Sequence, residues 1–193
     1  MRKTVVLVAL AIVVGAGIAW AHSDRGIREL LNGVQEVPVV STTGSGTFQA
    51  VMNRDEDEIE YTLTFQQLEG DVTQSHIHIG PSQNTGPIVL WLCQTAASPA
   101  PAGTTPPQCA NVADAASRRA NTVTGVLRAS DVRPLLTNGI GNGTAANEFA
   151  EVIALIRAGK TYVNVHTVKF GSGEIRSQIE NHEHRGHGDD HRR

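Results

Sequence analysis

The sequence is short of the features that most often give a small protein away. It has 2 cysteines in 193 residues, and they lie too far apart for a C-x-x-C pattern, so a zinc ribbon or a dithiol redox motif is excluded. Basic charge is scarce: 16 Lys and Arg are scattered among 19 Asp and Glu, for a formal charge of −3. A nucleic-acid partner needs a concentrated basic surface, so none is expected. No serine sits in a nucleophile elbow and no cysteine stands beside a histidine, which argues against covalent hydrolysis. There is no internal repeat and no sign of a second domain. A hydrophobic content of 40% with 18% charged residues excludes a disordered chain and a multi-span membrane protein.

The longest apolar run is at the start. Arg2 and Lys3 precede an almost wholly apolar stretch over residues 4–18, and Ala19-Trp20-Ala21 supplies small residues at the two positions a signal peptidase reads. The run is shorter than the roughly 20 residues that span a bilayer. Residues 1–21 therefore read as a cleaved export signal, leaving a protein with no stable membrane insertion, destined for a periplasm, a cell surface or the medium. Cys93 and Cys109 fit that oxidising destination as a disulfide. The segment between them holds Pro99, Pro101, Gly103, Pro106 and Pro107, so the bridge would staple an insertion and contribute about 3 kcal/mol.

The body, residues 22–181, consists of short stretches of alternating polarity separated by Gly, Pro, Asn and Ser. In residues 58–65, Ile59, Tyr61, Leu63 and Phe65 alternate with Glu58, Glu60, Thr62 and Thr64, the pattern of a strand with one face in a core. Further strands are predicted over residues 46–53, 72–79, 87–92, 122–128, 161–168 and 174–179. The expected fold is all-β, a Greek-key antiparallel β-sandwich with one or two short helices in loops. A short helix is expected after Ser130 as its cap. A second is expected over residues 147–158, where Phe149, Val152, Ile153 and Ile156 recur at helical spacing. The glycine-rich residues 137–144 follow no strand of a βαβ unit and precede no lysine, so they read as a flexible connector and not a phosphate cradle.

The 8 histidines are unevenly placed. His182, His184, His187 and His191 belong to residues 182–193, which contain no apolar side chain and are expected to be a disordered tail capable of weak transition-metal binding. His22 would begin the mature chain and is read as incidental. The body keeps His76, His78 and His166. In Ser75-His76-Ile77-His78-Ile79-Gly80 the spacing of two puts both imidazoles on one face of a strand, with Ile77 and Ile79 on the other. If the last hairpin is centred on Gly171, His166 lies across from Arg176 and Asn164 across from Gln178, on a polar surface. An H-x-H pair with one distant histidine suits copper or zinc and leaves a coordination position open. Imidazole ligands that titrate near neutrality would release such a metal below about pH 6. Arg176 would pair with a strand-edge carboxylate such as Glu174 or Glu36.

These residues lie in segments that carry a resemblance. Leu31-Asn32-Gly33-Val34-Gln35-Glu36-Val37-Pro38, His76-Ile77-His78-Ile79-Gly80, Thr85-Gly86-Pro87-Ile88-Val89, Tyr162-Val163-Asn164-Val165-His166-Thr167 and Gly173-Glu174-Ile175-Arg176-Ser177-Gln178 stand in the order found in the CHRD domain family, named after the modules of chordin. The chain resembles that family over roughly residues 28 to 180. It departs from it at Val39, where a second Pro is usual, at Ser75 in place of Ala, and at Ser177 in place of Gly. The resemblance implies a β-sandwich in an exported protein. More distantly, the layout is similar to copper-zinc superoxide dismutase. That likeness implies a copper site at His76, His78 and His166, one ion per chain, with Arg176 guiding superoxide. It lacks a fourth body histidine and any zinc cluster, so a copper-only centre is implied. Activity does not follow from the likeness alone. The alternatives are a copper-handling protein without catalysis and an extracellular interaction module with structural histidines.

Overall fold

A computed structural model describes residues 26–180 apart from residues 112 and 142; the expected signal over residues 1–21, His22 and the expected tail over residues 182–193 lie outside the described residues. Eight strands form the fold: β1 (Gly26–Asn32), β2 (Ser45–Met52), β3 (Glu58–Gln66), β4 (Val72–Ile79), β5 (Ile88–Cys93), β6 (Asn121–Arg128), β7 (Thr161–Thr167) and β8 (Ile175–Ile179). One α-helix, α1 (Ala145–Arg157), stands between β6 and β7. All ladders are antiparallel, in the order β5-β4-β7-β8-β1-β2-β3-β6. β1 and β8 share a single register pair, Asn32 with Arg176, while β5 and β6 come into contact at the other end. The sheet thus folds at a narrow joint into two four-stranded layers, and β3-β6-β5-β4 make the Greek key.

Alternation decides which side chains enter the core. Phe48, Leu63, Phe65, Ile77, Val163, Val165 and Ile175 are fully buried between the layers. Phe149, Val152, Ile153 and Ile156 bring α1 onto the same core, each worth roughly 2 kcal/mol of buried apolar surface. The Thr144 hydroxyl caps α1 by accepting from Asn147 N at 3.4 Å. The preceding glycine-rich segment is fastened, because the buried Glu148 carboxylate accepts from the backbone of Gly141 and Gly143. The short helix near Ser130 is a 3-10 turn over Ala129–Asp131. It starts two residues earlier than expected, with Arg128 as its first cap and the Asp131 carboxylate accepting from Arg128 N. Cys93 and Cys109 form the disulfide, and both are fully buried. Among the described residues no helix is long and apolar enough to cross a membrane.

One strand, β1, escaped the alternation rule. Ile27, Glu29 and Leu31 share its buried side, and the acid in the middle breaks the apolar series. Glu29 is accommodated because its carboxylate accepts from Ser177 Oγ at 3.3 Å and Glu180 N at 2.9 Å.

Candidate metal centre

The site lies on the outer face of β4, β7 and β8, opposite the core. Ile77, Val163, Val165 and Ile175 take one side of these strands; His76, His78, Tyr162, Asn164, His166 and Arg176 take the other. This polar face is buried, not a surface as the sequence suggests. Segments near Pro81–Gly86 and Glu36 and the Trp91 ring cover it, leaving His76 at 0%, His78 at 7% and His166 at 6% exposure.

The register of the last hairpin differs by two residues from that expected. Asn164 stands across from Arg176 and Tyr162 across from Gln178, so His166 and Arg176 are not opposed. The turn closes through Thr167 N to Phe170 O at 3.2 Å and Gly173 N to Phe170 O at 3.1 Å, which moves its centre one residue back. A slip of two preserves the faces, so the predicted sidedness stands.

The three histidines converge. His76 Nδ1 lies 3.2 Å from His166 Nε2, and the ring centroids of His76 and His78 are 5.4 Å apart. One nitrogen from each of the three falls within 4.8 Å of the others. Backbone carbonyls set two of the tautomers, because a carbonyl can only accept. His78 Nδ1 donates to Gly86 O at 2.8 Å and His166 Nδ1 donates to Gly171 O at 3.0 Å. Their Nε2 atoms therefore keep the lone pairs, the outer-sphere arrangement common for metal-binding imidazoles. His78 Nε2 is buried with no hydrogen-bond partner, a lone pair withdrawn from water with nothing in the protein to receive. Two nitrogens bound at 2.0–2.1 Å to a tetrahedral ion sit about 3.3 Å apart, close to the His76–His166 spacing. The donor set thus fits a metal ion bound by three imidazoles.

Electrostatics agree with this. Burial, reinforced by its two histidine neighbours, pushes His76 down to about 2; burial pushes His78 down to about 4; burial lowers His166 as well. His76 and His78 are held neutral well below pH 6, and burial shifts His166 in the same direction. The release below about pH 6 expected from the sequence assumed solvated imidazoles, whereas these three are buried, which favours the neutral, ligating form of each.

The same shifts predict how the metal-free protein responds to acid. An unfolded histidine takes its proton near 6.5, whereas His78 in the fold takes it only near 4, so between those values the unfolded state holds more protons and stability falls as pH falls. His78 alone is worth about 3 kcal/mol over that window. Glu36 acts in the opposite sense. Burial raises it to about 7, against the pull of Arg176, so its neutral form is kept in the fold and stability falls as pH rises from about 4.5 to 7. Urea unfolding of the metal-free protein should show a shallow loss from pH 7 to 5 that becomes steeper in Glu36→Gln. An identical pH profile in the variant would contradict the assignment.

Arg176 is 2% exposed and its guanidinium lies 3.4 Å from the centroid of the Tyr162 ring. On the other side, His78 stacks on Tyr162 with centroids 4.7 Å apart and planes 7° apart. The arginine is thus one aromatic ring removed from the histidines. Its Nη1 donates to Asn84 O at 2.9 Å and its Nη2 to Pro81 O at 3.4 Å, which ties down the covering loop. Neither anticipated carboxylate pairs with it. Glu174 turns to Thr42, Thr167 and the backbone of Glu69 and Gly70, and Glu36 acts on Arg176 only through its field. A cavity of about 490 Å³, lined among others by Val34, Glu36, Val39 and Gln83, opens onto Arg176 from solvent.

Two glycines explain why separated segments meet here. A Cβ on Gly86 would stand 1.7 Å from Ile79 O, so only glycine lets the loop press onto the end of β4 and offer its carbonyl to His78. Gly173 has φ +130°, and a Cβ there would stand 2.3 Å from Glu36 Oε1. Sequence reasoning found the three histidines from the H-x-H spacing and the late histidine. It missed Tyr162, Asn164 and Glu36 as neighbours of the centre, since none carries a spacing signal.

No curated protein and no solved structure matches the chain. A family model described as the CHRD domain matches residues 27–179, which takes in every residue of the centre and, apart from Gly26, all eight strands. The chain belongs to the CHRD domain family.

Proposed function

We propose that this is an exported protein that binds one copper ion through His76, His78 and His166 and dismutates superoxide there. The observation that carries the metal-binding part is the convergence of three neutral imidazoles, one with a buried lone pair that nothing in the protein receives. Export is supported by the buried disulfide, which suits an oxidising compartment. Three neutral nitrogen donors suit copper over calcium or magnesium, which take oxygen.

Bound copper supplies reversible one-electron transfer. Two superoxide anions and two protons give one dioxygen and one hydrogen peroxide, so a small anion must reach a nearly closed centre. Arg176 is a buried cation with no carboxylate in ion-pair contact among the described residues, facing a solvent-filled opening. Its field favours an approaching anion. The second reading, a copper-holding protein without turnover, is favoured by one observation: the guanidinium is engaged with Pro81 and Asn84 and screened from the histidines by Tyr162.

The test is copper loading of the mature chain truncated after residue 181, followed by EPR and superoxide turnover at several ionic strengths. One copper per chain with nitrogen hyperfine coupling establishes the site. Rapid turnover that falls with salt, and falls in Arg176→Ala without loss of copper, supports the enzyme. Stoichiometric copper with turnover no faster than free buffer would leave the copper-holding reading, and no stoichiometric copper would remove both.

A further inference from the structure

Asn164 is the one side chain of the buried face whose placement has no structural explanation so far. It lies on β7 directly across from His76, between Tyr162 and His166, so its side chain rises among the three imidazoles. It is 2% exposed, and its Oδ1 has no hydrogen-bond partner. The orientation of the amide follows from its neighbours. Its Nδ2 and Glu36 Oε1 both border the point where a Cβ on Gly173 would stand, at 2.8 and 2.3 Å, and Asn164 stabilises the charged form of Glu36, so the N–H end faces the Glu36 carboxyl without a hydrogen bond to Oε1. The oxygen end is turned the other way, to His78, whose own Nε2 is likewise unpartnered. Two buried acceptors aimed into one small space call for a donor between or upon them. A metal ion answers His78 Nε2 but leaves the amide oxygen needing a hydrogen.

We infer that Asn164 holds the fourth coordination position of the centre: its Oδ1 accepts a hydrogen bond from the water or other O–H ligand seated there, and Glu36 fixes the amide by facing Nδ2. The inference rests on the three-histidine reading above. It gives the centre a selectivity. Ligands that carry a hydrogen on oxygen satisfy the amide, whereas an anion without one, superoxide included, leaves Oδ1 desolvated and unpaired until it takes up a proton. Asn164 acts on the ligand and is not itself one of the metal donors.

The probe is azide, which brings no hydrogen. Copper(II)-loaded wild type, Asn164→Leu and Asn164→Ala are titrated with azide and followed by the charge-transfer band and by EPR, with copper stoichiometry measured on each. The expected result is that both variants keep one copper and the same nitrogen hyperfine pattern, while azide binds about tenfold more tightly than to wild type, the size of one hydrogen bond. Glu36→Gln keeps an acceptor for Nδ2 and should stay near wild type. Azide affinity within twofold of wild type in both asparagine variants would overturn the inference while leaving the three-histidine site intact. So would loss of stoichiometric copper in both, which would make Asn164 a metal donor or a structural residue. Failure of wild type itself to take up copper would remove the underlying site and this inference with it.

Discussion

Replacing His76 with leucine is expected to reduce metal affinity by more than about 100-fold while leaving the metal-free protein within about 1 kcal/mol of wild type. The first part follows from removing one of three donors, since even outer-sphere changes cost 10–100-fold. The second follows from an exchange of unsatisfied atoms. His76 Nε2 is already buried without a partner, and leucine removes it; at the same time His166 Nε2 loses the neighbour 3.2 Å away. One orphan disappears as another appears, each worth about 1–3 kcal/mol, and the volumes are similar. A histidine whose role is structural behaves differently: its loss from a fully buried position costs several kcal/mol. Thermal unfolding with and without copper reads both parts. Wild type should gain about 2.7 kcal/mol at a free copper concentration 100 times its Kd, and His76→Leu should gain less than about 0.4 kcal/mol. A variant that is strongly destabilised without metal would favour the interaction-module alternative.

Glu174→Ala should be among the most damaging single changes in the domain, costing about 4 kcal/mol. The carboxylate is fully buried and has no cation in ion-pair contact among the described residues. Oε1 accepts from Thr42 Oγ1 at 2.7 Å and Glu69 N at 2.7 Å, and Oε2 from Thr167 Oγ1 at 2.8 Å and Gly70 N at 3.3 Å. It ties the segment before β2, the β3–β4 turn and the end of β7 together beneath the β7–β8 turn. Alanine leaves four donors facing a cavity, two of them backbone N–H groups that cannot rotate away. Glu174→Gln retains one acceptor and should recover part of the loss. Denaturant midpoints compared at constant m would check this, and a cost below about 1 kcal/mol for alanine would show that water takes over the carboxylate's role.

Seven strands were legible in the sequence, most cleanly β3 with its strict alternation, and in each the bounds fall within a residue or so, although β5 is a continuous apolar run. β1 was hidden by Glu29, whose burial depends on Ser177 and on the backbone at residue 180, partners contributed by the far end of the chain. The histidines were legible because strand geometry turns H-x-H directly into a shared face. Their burial was not, since period-two patterning tells which residues share a face but not that a loop will cover it. The loop depends on Gly86, Arg176 and Tyr162 acting together. Asn164 and Glu36 became visible only when backbone pairing and packing placed their polar atoms, unpartnered, beside the imidazoles. The hairpin register was missed because two glycines in the turn permit more than one centre, and the sidedness test is blind to a slip of two.

The contact between Gly173 and Glu36 has a consequence for how such chains can change over generations. Two segments more than a hundred positions apart share one volume, and a side chain of any size at 173 would strike the carboxylate at 36. Natural variants that lose the glycine at 173 are therefore expected to carry a shorter residue at 36 as well, so the two sites should vary as a pair, with neither substitution tolerated first unless the other is small.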